Sequence, residues 1–235
     1  MSSRPRIRVA ALVSAVTVAV AGVVSGPAVA HVDAPSPRAS ESAAASLEMP
    51  GRAIRAKGDV VVSAIDALGF LMRTENVENP TYRVLRQRVA AAVARRLGAD
   101  SARFDRAWAK APRDHQLAVL AALTQLGVRY VEGKEDPHVS MDCSGLLWFA
   151  WRVAGVDMPR VSVSQLDSRM LISGGNAVAG DIAGEGTHVH MYLGVERYFV
   201  HAPFSGKRVT LKVMKKSQWA RVAWTNPSNI ATYRL

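Results

Sequence analysis

The sequence predicts an α+β protein, because two kinds of periodicity follow one another along the chain. Apolar residues recur at helical spacing between about Asp59 and Ala154, and short runs rich in β-branched and aromatic residues begin at Thr187. The last apolar helix opens with Cys143, the only cysteine of the chain. Helices followed by strands predict a cysteine-bearing helix packed on a small antiparallel sheet.

The first 30 residues resemble a secretory signal. Three arginines precede an apolar stretch from Val9 to Val24, and Ala28-Val29-Ala30 has the small-x-small pattern of a cleavage site. The apolar stretch is shorter than the about 20 residues that a membrane span requires. We therefore expect cleavage after Ala30, a protein that is secreted to the cell wall or periplasm, and no stable membrane anchor. An uncleaved anchor helix is the alternative.

The rest of the chain divides into three segments by composition. Residues 31–56 are rich in Ala, Ser and Pro and predict a flexible tether. Residues 57–112 predict a small helical region, and residues 113–235 predict the domain that carries the chemistry. The helical region is interpreted as a subdomain that packs on that domain, with a lid or a docking arm as the alternative. The buried faces expected for its first two helices are Val61, Ile65, Leu68 and Met72, and then Tyr82, Leu85, Val89, Val93 and Leu97.

The positive charge of the chain limits its partners. The formal net charge of +11 falls to about +8 when the three arginines of the signal are removed. A basic exported protein can bind anionic lipid or an anionic cell-wall polymer, or the charge can serve solubility alone. Nucleic acid is the least expected partner, because no recognition module is visible.

Cys143 is interpreted as a nucleophile. A single thiol in an exported protein has no internal disulfide partner. The apolar run that starts at Cys143 has helical length and ends at Gly155. The positive end of the helix dipole should therefore lower the pKa of the thiol, and the free N–H groups there can hold an oxyanion.

Three of the six histidines can supply a base and an orienting group for a thiol. His188 and His190 lie two apart on one predicted strand and so share a face. His201 closes the next predicted strand and can pair across to the first. The remaining histidines are assigned no chemistry: His31 lies in the tether, His115 is expected at the surface and His138 is expected to be a solvated loop residue.

Four strands are predicted in the C-terminal part of the chain. They are Thr187–Leu193, Arg197–His201, Val209–Val213 and Ile230–Leu235. The turn at Gly180-Asp181-Ile182 is followed by Ala-Gly-Glu-Gly, which predicts a shortened or distorted strand.

Six segments in order resemble the motifs of the NlpC-type peptidoglycan endopeptidases, which are papain-like cysteine peptidases. They are Leu126-Gly127-Val128-Arg129-Tyr130-Val131, Asp142-Cys143-Ser144-Gly145-Leu146, Pro159-Arg160-x-Ser162-x-x-Gln165, Gly180-Asp181-Ile182, His188-Val189-His190-Met191-Tyr192-Leu193-Gly194 and His201-Ala202-Pro203. Each motif alone is weak, but the ordered set is specific and covers residues 113–235.

The resemblance implies a papain-like core, no cofactor and no metal, and cleavage of stem-peptide amides in peptidoglycan, commonly between D-glutamate and a diamino acid. By position it makes Cys143 the nucleophile, His188 the general base and His201 the residue that orients this base. The substrate or oxyanion contacts that it implies are Tyr130, Asp142, Ser144 and Arg160.

Two departures from the family pattern bear on the site. Glu132-Gly133-Lys134 and a charged loop stand where the family usually has Trp-Gly-Gly, which affects substrate preference. His190 replaces a small residue on the same strand face as His188. It can therefore crowd the site or act as the base itself, although His188 is favoured.

Two other functions remain open at this point. His188 and His190, with His201 or Asp181, can be the ligands of a zinc-dependent cell-wall peptidase. That interpretation leaves Cys143 without a role. The second is a protein that binds wall peptides without cutting them.

Overall fold

The computed structural model describes residues 59–232. The predicted signal segment, its cleavage site and the tether lie outside these residues, as do the last three positions of the predicted C-terminal strand. Within the described part of the chain, no helix has both the length and the apolar character needed to cross a membrane.

Three helices form the N-terminal part of the described chain: α1 over residues 59–74, α2 Pro80–Leu97 and α3 Ser101–Lys110. The side chains of Asn79 and Asp100 cap α2 and α3 by accepting hydrogen bonds from first-turn N–H groups. Gly98 ends α2 with a φ of 64°, the left-handed conformation in which glycine carries no steric penalty.

The buried face of α1 differs from the predicted one. Val60, Ala64, Ala67 and Leu71 are fully buried, whereas Ile65 and Met72 of the predicted face are 49% and 52% exposed. Two alanines on the inner face allow close approach of the neighbouring helices, and this packing outweighs the larger apolar area of the exposed pair.

The helical part shares a hydrophobic core with the rest of the protein. The predicted face of α2 is confirmed at three of its five positions, because Tyr82, Val89 and Val93 are fully buried. The Tyr82 hydroxyl donates to Gln116 Oε1 over 2.8 Å, and the indole N–H of Trp108 donates to the Leu193 carbonyl over 2.9 Å. These two buried bonds tie the helical part to the elements that follow it.

Two packed helices then precede the sheet: α4 Arg113–Thr124 and α5 Cys143–Val153. Between them lies a two-stranded ribbon of β1 Glu135–Asp136 and β2 Ser140–Met141. The predicted cysteine helix is thus confirmed, and it is followed by the short helix α6 Ser162–Gln165.

The six strands of the main sheet are all antiparallel in the order β3-β8-β4-β5-β6-β7. They are β3 Leu171–Ile172, β4 Ile182–Glu185, β5 His188–Tyr192, β6 Tyr198–His201, β7 Thr210–Val213 and β8 Ala223–Thr225. The short helix α7 Lys216–Trp219 lies between β7 and β8. The predicted α+β class and the three strands around the histidines are confirmed.

Two further predictions concern this region. The segment expected to be a shortened or distorted strand forms β4, a central strand of four residues that pairs with β5 on one side and β8 on the other. The predicted C-terminal strand is wrong. The segment expected to be a strand from Ile230 instead belongs to helix α8 Ser228–Thr232. The Asn226 side chain accepts from Ser228 N over 2.9 Å, and Pro227 fixes a helical φ, so the local sequence starts a helix here.

Candidate active site

Cys143 is the first residue of α5 and lies against strand β5. Its sulfur is 3.9 Å from the Thr187 carbonyl oxygen, and the Val189 amide also acts on it. These two backbone groups belong to the residues on either side of His188. Cys143 is 7% exposed.

The pKa of Cys143 departs from the sequence-based prediction. Burial raises the pKa of the thiol, and the negative charge of Asp142 adds to that effect. The backbone N–H groups of Val189 and Ser144 act in the opposite direction but do not outweigh burial. The prediction of a lowered pKa was wrong because it counted the helix N-terminus without the desolvation of the sulfur.

His188 and His201 form a hydrogen-bonded pair across β5 and β6. Nε2 of His188 lies 3.1 Å from Nδ1 of His201, and the two rings meet edge to face with centroids 5.3 Å apart. Burial lowers the pKa of His188, and the positive charge of Lys212 lowers it further. The pKa of His201 falls to about 3 for the same reasons, with an added contribution from His188. Both rings are therefore neutral at neutral pH.

His190 is fully buried, and both of its ring nitrogens are occupied. Nδ1 lies 3.3 Å from the Ala183 carbonyl oxygen, and Nε2 lies 2.9 Å from Nζ of Lys212. The sequence left His190 open as an alternative base. In the structure its nitrogens engage β4 and β7, whereas His188 is the histidine bonded to His201.

The zinc interpretation rested on the same three histidines. Each offers one nitrogen, and these atoms lie within 4.8 Å of one another. However, a metal on His190 Nε2 would have to replace the Lys212 ammonium, and a metal on Nδ1 would have to replace the bond to Ala183. The Lys212 ammonium already lies at Nε2 of His190, so this donor set fits a metal ion poorly.

A polar network surrounds the start of α5. Asp142 caps the helix, because its Oδ1 accepts from Gly145 N over 2.6 Å and its Oδ2 accepts from Gly133 N over 2.7 Å. Arg160 donates to both oxygens of Asp142, over 3.1 and 3.0 Å, and its Nε donates to Glu135 over 2.9 Å. Burial would raise the pKa of Asp142, but the bonds from Arg160 and Gly145 outweigh it and lower the pKa.

The other residues proposed for substrate contact also lie at this network. Ser144 Oγ donates to Asp142 Oδ1 over 3.1 Å and accepts from Arg160 over 2.9 Å. The half-buried Tyr130 lies near the thiol: burial raises the pKa of its phenol, and the charges of Cys143 and Asp142 raise it further. The structure thus brings all seven predicted residues into one region.

Three residues of this region were not predicted to act there. Gln165 donates from one buried amide nitrogen to the carbonyls of Ser144 and Pro159, each over 2.9 Å, which fixes α6 against α5. Glu135 belongs to the charged loop, and its contact with Arg160 depends on chain folding that the sequence pattern does not specify. One feature of the sequence could have indicated Lys212: it is a cation inside a run of β-branched and apolar residues. It lies on the same strand face as Thr210, which pairs with His201.

His115 and His138 lie outside the site. His138 is exposed in the loop before β2, as predicted. His115 is 1% exposed, which contradicts the predicted surface position. Its two nitrogens lie 2.9 Å from Asp114 Oδ1 and 3.1 Å from Asp181 Oδ1, and this double pairing makes burial of a charged ring tolerable.

The fold and the site define a class of protein: α+β proteins with a thiol at the start of a buried helix and a hydrogen-bonded histidine pair on the adjoining antiparallel sheet. Comparison with known proteins identifies a family with these features. Residues 127–226 match the model of the NlpC/P60 family. This part of the chain belongs to that family.

The curated relatives are named as cell-wall enzymes or endopeptidases. The bifunctional muramidase/DL-endopeptidase CwlT of Bacillus subtilis is 32% identical over 93 residues, which are 36% of this chain and 28% of that protein. The murein DD-endopeptidase MepH of Escherichia coli is 25% identical over 48% of this chain and 45% of its own length. The probable endopeptidase Rv2190c of Mycobacterium tuberculosis is 33% identical over 44% of this chain and 27% of its own length. The chain thus spans less than half the length of these relatives.

Solved structures give similar matches. The NlpC/p60 domain of the peptidoglycan hydrolase SagA is 31% identical over 48% of this chain and 97% of that domain, with a TM-score of 0.41. NlpC1 of Trichomonas vaginalis is 27% identical over 48% of this chain and 45% of that one, with a TM-score of 0.40.

Proposed function

We propose that this protein is a secreted cysteine endopeptidase that hydrolyses stem-peptide amide bonds of bacterial peptidoglycan. Cys143 is the nucleophile, His188 the general base and His201 the residue that orients it. One observation carries the proposal: His188, which is hydrogen-bonded to His201, directly follows Thr187, whose carbonyl the Cys143 sulfur contacts.

The proposed mechanism uses the tautomer of His188 that donates to His201. His188 uses Nε2 toward His201, so Nδ1 is the nitrogen available to the thiol. A neutral His188 that donates its Nε2 proton to His201 Nδ1 has an unprotonated Nδ1, which is the form that a general base requires. The raised thiol pKa and lowered imidazole pKa mean that the resting pair is neutral.

The reaction then proceeds in two stages. As the Cys143 sulfur attacks the amide carbonyl, its proton passes to Nδ1 of His188, and first-turn N–H groups of α5 stabilise the oxyanion. His188 returns this proton to the departing amine, and the C–N bond breaks to leave a thioester. In the second stage water gives a proton to His188, its oxygen attacks the thioester, and the thiol leaves with that proton.

We propose the bond between D-glutamate and the diamino acid as the one cleaved. The names of the relatives include both a DL- and a DD-endopeptidase, so the similarity by itself allows either. The residues that we propose to select the bond are Tyr130, Asp142, Ser144 and Arg160. The division into signal, tether, helical region and peptidase domain remains part of this proposal.

We also propose that the protein contacts anionic polymers of the cell wall. Two depressions that share Leu126, Gly127 and Arg208 are lined by exposed cations, and none of the residues described as lining them is acidic. These cations are Arg96, Arg129, Lys207 and Arg208. Binding to soluble polyglycerol phosphate should weaken with salt and with Arg208→Gln, whereas Arg83→Gln on the exposed side of α2 should leave it unchanged. Equal binding by both variants would contradict this role.

The function is tested by mass spectrometry of purified peptidoglycan fragments incubated with the protein. We expect new stem-peptide products that persist with chelator, that disappear with Cys143→Ala and His188→Ala, and that are unaffected by His138→Ala. The masses of the products identify the bond. Products that require metal would support the zinc enzyme instead. Tight binding of fragments without any product would support the non-catalytic alternative.

A further inference from the structure

The pair formed by the buried His190 and the half-buried Lys212 has no role in the reaction described above. His190 is fully buried beneath the site, and the Lys212 side chain reaches it from β7. Burying an imidazole completely and an ammonium in part is unfavourable unless both are hydrogen-bonded. The pair therefore requires a physical explanation.

The hydrogen bonds define one protonation state for the pair. A carbonyl oxygen only accepts, so the Nδ1 that faces Ala183 carries a proton. Nε2 then has a free lone pair, and the ammonium of Lys212 donates to it over 2.9 Å. Lys212 donates a second proton to Gln218 Oε1 over 3.1 Å. His190 is thus held neutral in a single orientation by groups on β4 and β7, and α7 fixes the β7 group through Gln218.

The fixed ring of His190 supports both histidines of the site. It stacks on His201 with an interplanar angle of 19° and a centroid separation of 4.8 Å. It meets His188 edge to face at 88°, with centroids 4.5 Å apart. Rotation of His201 away from His188 would break the stacking, so the orientation of His201 depends on that of His190.

We propose that Lys212 and His190 form a positioning pair that holds His201 in line with His188 and places a fixed positive charge behind the two histidines. The proposal rests on the function proposed above. It deepens that function by naming residues that act through His201 and His188 without touching substrate.

The fixed charge should also keep the base neutral in mildly acidic surroundings. The charged or titratable groups around Lys212 and the histidines are Glu185 on β4 with its partner Arg221, Lys215 beyond β7, Cys143 at the start of α5, and the three histidines themselves. A cation separated from His188 by one ring disfavours the imidazolium form. Removing it should raise the pH at which His188 gains a proton by about one pH unit.

The test separates the charge of Lys212 from its hydrogen bond. Lys212→Gln removes the charge and keeps a donor for His190, Lys212→Met removes both, and Lys212→Arg keeps both. Lys215→Gln removes an equal charge from an exposed side chain three residues away and is the matched control. The protonation of His188 and His201 is followed by NMR of histidine-labelled protein against pH, which needs no substrate. The pH profile of kcat/KM on wall fragments is measured beside it.

We expect the His188 midpoint and the acid limb of kcat/KM to rise by about one pH unit in Lys212→Gln and Lys212→Met. Lys212→Arg and Lys215→Gln should keep the original values, and Lys212→Met should also lower kcat at the optimum. Midpoints in Lys212→Gln and Lys212→Met that match the control would overturn the positioning pair even if wall fragments are cleaved. A shifted NMR midpoint in a protein that cleaves nothing would retain the pair and refute the proposed function instead.

Discussion

Replacement of His115 by glutamine should destabilise the protein by an amount that depends strongly on pH. His115 lies between Asp114 and Asp181, with one ring nitrogen directed at each carboxylate. Burial alone would lower the pKa of His115, but the hydrogen bonds to the two carboxylates outweigh it and raise the pKa from 6.5 to about 9. The charged ring is therefore stabilised by folding, and glutamine cannot carry that charge.

The magnitude follows from the pKa difference between the folded and unfolded states. A rise from 6.5 to about 9 corresponds to about 3 kcal/mol of unfolding free energy. Because the folded-state pKa is the higher one, this contribution is complete below pH 6.5. It declines as the pH rises through 9, where the folded protein also loses the proton.

The measurement is urea-induced unfolding of the unmodified protein and His115→Gln, with reductant, at intervals from pH 6 to pH 10. The difference in unfolding free energy should be largest near pH 6 and should shrink by about 3 kcal/mol toward pH 10. His138→Gln, which changes an exposed histidine, should show little difference at any pH. A difference for His115→Gln that is constant across this range would refute the charged, doubly paired state of the ring.

Three further predictions concern the cysteine helix. Gly145→Ala should lower the unfolding free energy by about 2 kcal/mol or more and reduce activity, because the new Cβ would lie 2.2 Å from the Lys134 carbonyl oxygen. Gly175→Ala is the control, since the atom nearest to its new Cβ is 3.8 Å away and the unfolding free energy should change little. Equal urea midpoints for the two variants would contradict this prediction. Asp142→Asn should lower the unfolding free energy by about 1 to 3 kcal/mol through loss of the charged cap and the Arg160 pair, and an unchanged urea midpoint would argue against that role. The rate of Cys143 alkylation by iodoacetamide should rise continuously from pH 6 to pH 9, since burial raises the thiol pKa, and a plateau on the acid side would reveal a resting thiolate instead.

Local sequence was sufficient to predict the elements that carry the proposed chemistry. The apolar run after Cys143 has helical length and a glycine stop, and α5 follows it. The alternation around His188 and His201 predicts two strands, and β5 and β6 follow it. In these segments propensity, polarity pattern and tertiary packing favour the same structure.

Predictions failed where distant residues determine the outcome. His115 looked like a surface residue because its partner Asp181 lies 66 positions away. The thiol pKa was misjudged for a related reason, since desolvation of Cys143 depends on the elements packed over the helix start and not on the helix alone.

Strand spacing alone does not determine which of His188 and His190 acts as the base, because their hydrogen-bond partners decide it. Spacing places both rings on one face of β5, and by itself it gives them equal access to chemistry. Their hydrogen bonds differ because neighbouring strands present different groups: the ring of His201 to one, and the Ala183 carbonyl and the Lys212 ammonium to the other. A histidine with both nitrogens occupied cannot exchange protons during a reaction unless those bonds break. If His188→Ala with Lys212 intact kept peptidase activity, and a second change of His190→Ala removed it, the division of roles between the two histidines would be wrong.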